Sequence, residues 1–539
     1  MLSHLRTFTR RLLPASAALS ACVLVAGCVN LGPDPSRPPS VLAPGDGGAA
    51  EPYRYASAEQ QAQPPQITRW WQRFGDDHTD ELVQQALTHN TDVRAAAARV
   101  LQAEALLGVA TGRRFPAVGA DGSVSRSQST FEFFGDRQST RSTTYTLELN
   151  VGWQVDLFGK LRRQQQAAYL NMLATSEDRQ ALMHTIIAQV VRTRAQIAVL
   201  QRQLAIIDAN ITSFEQTRDV VDRRYQGGIT SAFDLRLAGE NVAAARARRP
   251  NAVYRLRAAQ LALDVLLGRQ PGTSEPLEDG LPELPPAALP DTGLPAALLD
   301  RRPDLRASAL RAAAEQADIG VAIADLFPDL SIGISGGLQS SRLGDLIDAR
   351  SYIWGLIAQT TTRLFEGGAL RANVDAARAE AEALAANYAG QVLTAISEVE
   401  DALIRERTAR EAYVLLQQRL TEAREAERIA GDRYDQGVES ILSVLEAERR
   451  RRLAEDELIA TQLTIWNARI DLYLALGGDW GVEPTPLDEM IDREKLGAWR
   501  GVEVTPQRDL PGQGMIDLDD ERPGPLTDEA DVNEGAGDD

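Results

Sequence analysis

Side chains able to do covalent or metal chemistry are scarce in this chain. Of 539 residues, four are histidine and two are cysteine. His78, His89 and His184 stand far apart and form no HExxH pair, and no P-loop is present. Cys22 and Cys28 both lie in the first 28 residues, so the rest of the chain has no thiol for a metal or a disulfide. Carboxylates are abundant, but they alternate with arginines along helical stretches, where they pair naturally. Neither catalysis, a metal nor a cofactor is expected. The formal charge of −19 also argues against nucleic acid, which needs clustered cations.

The chemistry that remains is at the N-terminus. Arg6, Arg10 and Arg11 precede an apolar stretch, Leu12 to Ala26, too short to be a stable membrane helix. It ends in Leu24-Val25-Ala26-Gly27-Cys28. Small residues before a cysteine resemble a bacterial lipoprotein signal, with residues 1–27 removed and Cys28 acylated. Leu19-Ser20-Ala21-Cys22 fits loosely but follows a shorter apolar run, so Cys28 is preferred. Val29, not Asp, follows it, which in bacterial lipoproteins implies export to the outer membrane. No other stretch supplies the run of about 18 apolar residues of a membrane helix. A membrane-spanning part would have to be β.

The remainder is written twice. Arg224-Tyr225-x-x-Gly228-x-x-Ser231 recurs as Arg433-Tyr434-x-x-Gly437-x-x-Ser440, offset by 209. Leu157-Phe158-Gly159 answers Leu364-Phe365-Glu366-Gly367, and Phe115-Pro116 answers Phe327-Pro328. Each half reads helix, strand, strand, long helix, helix. Repeat 1 spans 67–270. In it, Asp80 to Gly112 is helical, and period-2 alternation marks strands at about 117–125 and 143–154 around a polar loop. A helix from Leu161 to Gln226 turns at 227–231 and returns from Ala232 to about Gly268. Repeat 2 spans 296–480, with strands at about 329–338 and 351–362 and a helix from Ala369 that turns at 436–440 and returns to Leu476. Ala and Leu dominate the helices, as their small entropy loss favours. Residues 28–66 read as a polar, Pro-rich tether. Residues 271–295, with seven prolines, read as a linker, and 481–539 as a disordered acidic tail.

Four strands are too few to close a membrane barrel, and an open edge in lipid is costly. Three chains supply twelve, so a homotrimer is the simplest closed solution with a bore. A dimer of eight strands satisfies the same count, and a soluble pair of hairpins packed on helices explains the alternation equally well. At about 1.5 Å per residue the long helices span about 100 Å. In each repeat, two shorter helices stacked end to end match that length. The expected fold class is mainly α with a small transmembrane β part: a trimeric 12-strand β-barrel on a 12-stave α-helical periplasmic barrel.

The chain resembles the TolC-type outer-membrane efflux proteins, in the NodT-like lipoprotein branch that serves resistance-nodulation-division pumps. The resemblance lies in Trp70-Trp71-Gln-Arg-Phe74-Gly-Asp76, Trp153-Gln-Val-Asp156-Leu157-Phe158-Gly159-Lys160, Leu299-Asp300-Arg301-Arg302-Pro303-Asp304-Leu305, Ile319-Gly320-Val321-Ala322 and the two Arg-Tyr-x-x-Gly-x-x-Ser turns. It covers roughly residues 66 to 480. It implies an exit duct in the outer membrane, lipid-anchored, passing drugs or small toxic compounds from an inner-membrane pump and a periplasmic adaptor. It implies that Arg224, Tyr225, Gly228, Ser231, Arg433, Tyr434, Gly437 and Ser440 form tips where the adaptor docks. Near them the family constricts the entrance. Asp234 matches an acidic position there, while Ser443 stands at its equivalent in repeat 2 and Glu439 replaces a basic residue of some members. Asp234 can alternatively be read as a helix N-terminal carboxylate held by the dipole. Rival functions are a duct for type I protein secretion and a structural periplasmic coiled-coil lipoprotein.

Overall fold

The computed structural model describes residues 30–39, 51–65, 67–133, 136–273, 277, 281–478 and 487–491. Cys28 and most of the acidic tail lie outside them. Repeat 1 contains α2 (Asp77–His89), α3 (Thr91–Gly112), β1 (Ala117–Phe133), β2 (Asp136–Val155), α4 (Lys160–Gln226) and α5 (Ala232–Leu266), after a short α1 (Ala58–Ala62). Repeat 2 contains α6 (Leu298–Arg301), α7 (Pro303–Ala324), β3 (Asp329–Ser340), β4 (Tyr352–Thr361), α8 (Ala369–Asp435) and α9 (Ile441–Ala475), with α10 (Leu487–Met490) beyond. Both α4 and α8 are 67 residues long.

The helix expected from Asp80 to Gly112 is two. Asn90 interrupts it because its side chain competes with the helical ladder. Its Oδ1 accepts from Asp92 N–H (2.8 Å) and Val93 N–H (3.1 Å), capping α3. Its Nδ2 donates to the Leu266 carbonyl at 2.9 Å, at the end of α5. One buried residue thus joins α3 and α5 end to end alongside α4. Repeat 2 uses Arg302 instead. It precedes α7, bonds Asp304 and Glu398, and reaches the Ala475 carbonyl of α9 at 3.4 Å. Arg302 of the Asp300-Arg-Arg-Pro motif is therefore a structural residue at this junction.

The sheet is an antiparallel meander, β1-β2-β3-β4. β2 and β3 are neighbours although some 170 residues separate them, so the sheet joins the repeats. Among the described residues β1 and β4 each have one partner, leaving two open edges. Aligned residues share a face. Ala120, Leu149, Gly336 and Trp354 form one rung, and Val118, Val151, Ile334 and Leu356 the next. This face is exposed in the single chain: Trp354 retains 73% of its surface and Val118 also 73%. Opposite it lie small and polar rungs such as Gly119, Asn150, Ser335 and Gly355. The first two strands are longer than expected, because residues 126–133 and 136–142 continue the ladder as Ser127–Ser142 and Thr130–Ser139 pairs. Over 126–130 and 139–142 both faces are polar, which erases the period-2 signal while the backbone pairing persists. Gly333-Ile334-Ser335-Gly336-Gly337 has the spacing of a nucleophile elbow but lies inside β3, not on a strand-to-helix turn.

The main core sits at mid-height of the helices. Trp70 stacks on Tyr473 (5.0 Å, 14° between planes), and Phe74 meets Trp466 edge-on at 4.9 Å. Segments read as loose are docked here. Tyr53 of the tether is buried, and Arg54 and Tyr55 donate their N–H groups to Glu400. In the linker, the Ala288 carbonyl accepts from Arg469 at 3.0 Å and that of Glu283 from Trp466 at 3.2 Å. Leu487 and Ile491, within the segment read as tail, are buried in the core. An isolated apolar pair at i, i+4 was too short to show a period against the acidic background.

Candidate functional site at the helical tips

The turn glycines are required by geometry. Gly228 has φ +73° and Gly437 φ +78°, left-handed values that L side chains disfavour. Each glycine closes its long helix by donating to the tyrosine carbonyl three residues back, Gly228 to Tyr225 and Gly437 to Tyr434, both at 2.9 Å. Ser231 and Ser440 then stand at the N-caps of α5 and α9.

The two tips meet through Arg224. Its Nη1 donates to the Tyr434 carbonyl and its Nη2 to that of Asp435, both at 2.6 Å. The guanidinium also lies 4.2 Å from the centre of the Tyr434 ring. A cation at the C-terminus of α8 is favoured by the helix dipole as well as by these bonds. Val221, Ala238, Tyr434, Ile441 and Val444 pack beneath it as a separate small core. Repeat 2 does not reciprocate. Arg433 turns to its own Glu439 at 3.5 Å, and Tyr225 stays 42% exposed. The repeated motif is thus symmetric in sequence and asymmetric in contact.

Asp234, Glu439 and Ser443 are engaged within their own turns. Asp234 Oδ2 accepts from Thr230 Oγ1 (2.7 Å), Ser231 Oγ (2.8 Å) and Ser231 N–H (3.1 Å), and Ser231 Oγ accepts Asp234 N–H in return. This is a capping box. The Thr230 and Ser231 bonds hold the Asp234 carboxyl below its ordinary pKa. In repeat 2 the partners are exchanged. Ser443 Oγ donates to Glu439 Oε1 at 2.7 Å, and Ser440 N–H reaches the same oxygen at 3.3 Å. These bonds and Arg433 likewise depress the Glu439 carboxyl. So the second and sixth residues after each tip glycine carry one hydroxyl and one carboxylate, in opposite order. No hydrogen bond or ion pair joins Asp234 to Glu439 or Ser443 among the described residues.

Glu448, two turns above the second tip, was not singled out by sequence. It is 2% exposed, faces Thr217 of α4 (2.8 Å), and its Oε2 has no hydrogen-bond partner among the described residues. Burial pushes its carboxyl up to about 7, aided by Glu427 and opposed by Thr217, Arg451 and Arg452.

Residues 82–269 and 294–478 match the family described as outer membrane efflux protein, one block per repeat. The chain belongs to this family. The solvent efflux pump outer membrane protein SrpC of Pseudomonas putida is 32% identical over 411 residues, 76% of this chain and 87% of its own. The pyoverdine export outer membrane protein OpmQ of Pseudomonas putida is 31% identical over 477 residues, 87% of this chain and 97% of its own. The outer-membrane channel OprN superposes with a TM-score of 0.75 at 30% identity, covering 84% of this chain and 99% of that one. The family places the chain in the Gram-negative outer membrane as a transport duct with a helical periplasmic body.

Proposed function

We propose that three copies of this chain assemble into one passive duct, with twelve strands closing a barrel in the outer membrane and twelve helical staves continuing it into the periplasm. The observation that carries this reading is the open four-stranded sheet. Its exposed face is apolar, its other face is small and polar except at Ile353 and Ile357 of β4, and among the described residues both edges lack partners. A hydrocarbon solvent on one face and water on the other is the environment that pattern fits. From Trp153 to Tyr145 the apolar stretch of β2 runs about 27 Å at ~3.4 Å per residue. At the usual tilt of about 40° that spans roughly 20 Å of membrane. The helices α4 and α8 then extend about 100 Å away from it.

In this arrangement Arg224, Tyr225, Gly228, Ser231, Arg433, Tyr434, Gly437 and Ser440 surround the periplasmic mouth and offer the docking surface for an adaptor. An inner-membrane pump of the resistance-nodulation-division class would supply the energy, since a duct has no catalytic step of its own. Cys28, acylated, would anchor each copy to outer-membrane lipid. One relative is named for solvent efflux and another for pyoverdine export, and by analogy this chain would conduct drugs or other small toxic compounds. Asp234 and Glu439 serve here first as caps of the return helices. Chemical cross-linking of the detergent-extracted protein is expected to stop at three chains. A ladder ending at two would support an eight-strand closure and overturn the trimer.

A further inference from the structure

Residues 30–39, which the composition presents as loose tether, lie in a built groove along α7. Arg163, with no exposed surface, spends its guanidinium on them. Its Nε donates to the Leu31 carbonyl at 3.0 Å, and its Nη2 to the Gly32 carbonyl and to Asp34 Oδ1, each at 3.1 Å. Leu31 N–H donates to the Phe158 carbonyl at 3.4 Å. Gly32 has φ +84°, and a Cβ there would stand 2.5 Å from Gly320 Cα. A Cβ on Gly320 would meet the Leu31 carbonyl oxygen at 2.7 Å. Farther on, Ser36 N–H and Oγ both donate to Gln316, and Arg37 pairs with Asp300 at 3.2 Å. The strap therefore runs along α7 with Asn30 at the sheet end, against Gly159. Two motifs distant in sequence, one containing Gly159 and the other Gly320, converge on this one segment.

We infer that the groove is a docking site for the lipid anchor: it holds the acylated N-terminus so that its acyl chains lie over the Phe158–Phe327 pair at the foot of the sheet. This rests on the reading of Cys28 as acylated. Cys28 is two residues before Asn30, within about 7 Å of it even when fully extended. At that place Phe158 and Phe327 stack at 4.9 Å, and Phe327 keeps 40% of its surface exposed. An apolar ring pair beside the membrane end of the body suits fatty chains, whose methylenes gain by leaving water.

The test uses the full-length protein expressed with a photoactivatable fatty acid that labels Cys28 biosynthetically. After irradiation in isolated outer membranes, cross-links are expected to concentrate on peptides containing Phe158 and Phe327. G32V obstructs the strap at Gly320, and R163A removes its hold. Both are expected to lower these cross-links at least fivefold relative to cross-links to lipid. Acylation, read by mass spectrometry, should be unchanged. The helical circular-dichroism signal and thermal melt of G32V and R163A should match the parent, which separates loss of docking from loss of fold. Wild-type cross-links scattered over the body, or a pattern that survives both G32V and R163A, would overturn the docking site. Absence of label at Cys28 would instead overturn the anchor on which it rests.

Discussion

At the residue scale, the tips show how one function can be kept while its letters move. Thr230 and Asp234 make in repeat 1 the hydrogen bond that Ser443 and Glu439 make in repeat 2, with donor and acceptor exchanged. The exchange was visible in the sequence, where position six after the glycine had lost its carboxylate and position two had gained one. What the sequence left undecided was whether Asp234 faces a pore or its own helix. Three accepted hydrogen bonds within the turn settle its primary engagement. D234N should cost about 1 kcal/mol of local stability, as loss of a cap does. Hydrogen exchange at residues 231–236 would show it. Cation selectivity of the reconstituted protein should be unchanged, and a large loss of selectivity would return Asp234 to the constriction.

Glu448 carries the pH dependence at this scale. Its carboxyl is raised in the folded chain, so it stabilises fully below its unfolded pKa and loses that contribution as pH rises through about 7. E448Q removes the titration. The variant should match the parent near pH 5 and exceed it at pH 8 by on the order of 2 kcal/mol. Denaturant unfolding at the two pH values checks the sign. Nothing in the local sequence marked Glu448, because its burial is made by α4, which lies more than 200 residues away.

At the element scale, buried ion pairs fix the helices to one another. Glu406 of α8 receives Arg469 of α9 on both oxygens, at 2.6 and 2.8 Å, with both side chains almost fully buried. E406A leaves a buried guanidinium without its counter-charge and should cost about 3–5 kcal/mol, whereas the apolar double change E406L/R469M should cost much less. Thermal or denaturant unfolding of the two variants separates pairing from packing. Element order, the long helices and the four strands were legible because each has a sustained period. The Asn90 break, the polar half of the first hairpin and the docked tether were not. In those places a single side chain or a backbone ladder decides the conformation, and neither leaves a period in the sequence.

At the scale of the whole molecule, duplication gives each chain two tips of the same design, and the Arg224 clamp joins them within the chain. In the proposed duct, closure of the sheet and of the helical tube would come from other copies, because among the described residues β1 and β4 have no second partner. A duct of this kind is a property of the assembly, and the Arg224 clamp at its mouth can be released by substitution. Single-channel recording of the purified, acylated protein in planar bilayers tests it most directly. Uniform conductance steps are predicted, made larger or more frequent by R224A, which releases the tip. A folded protein that gives no steps, as parent and as R224A, would contradict the account.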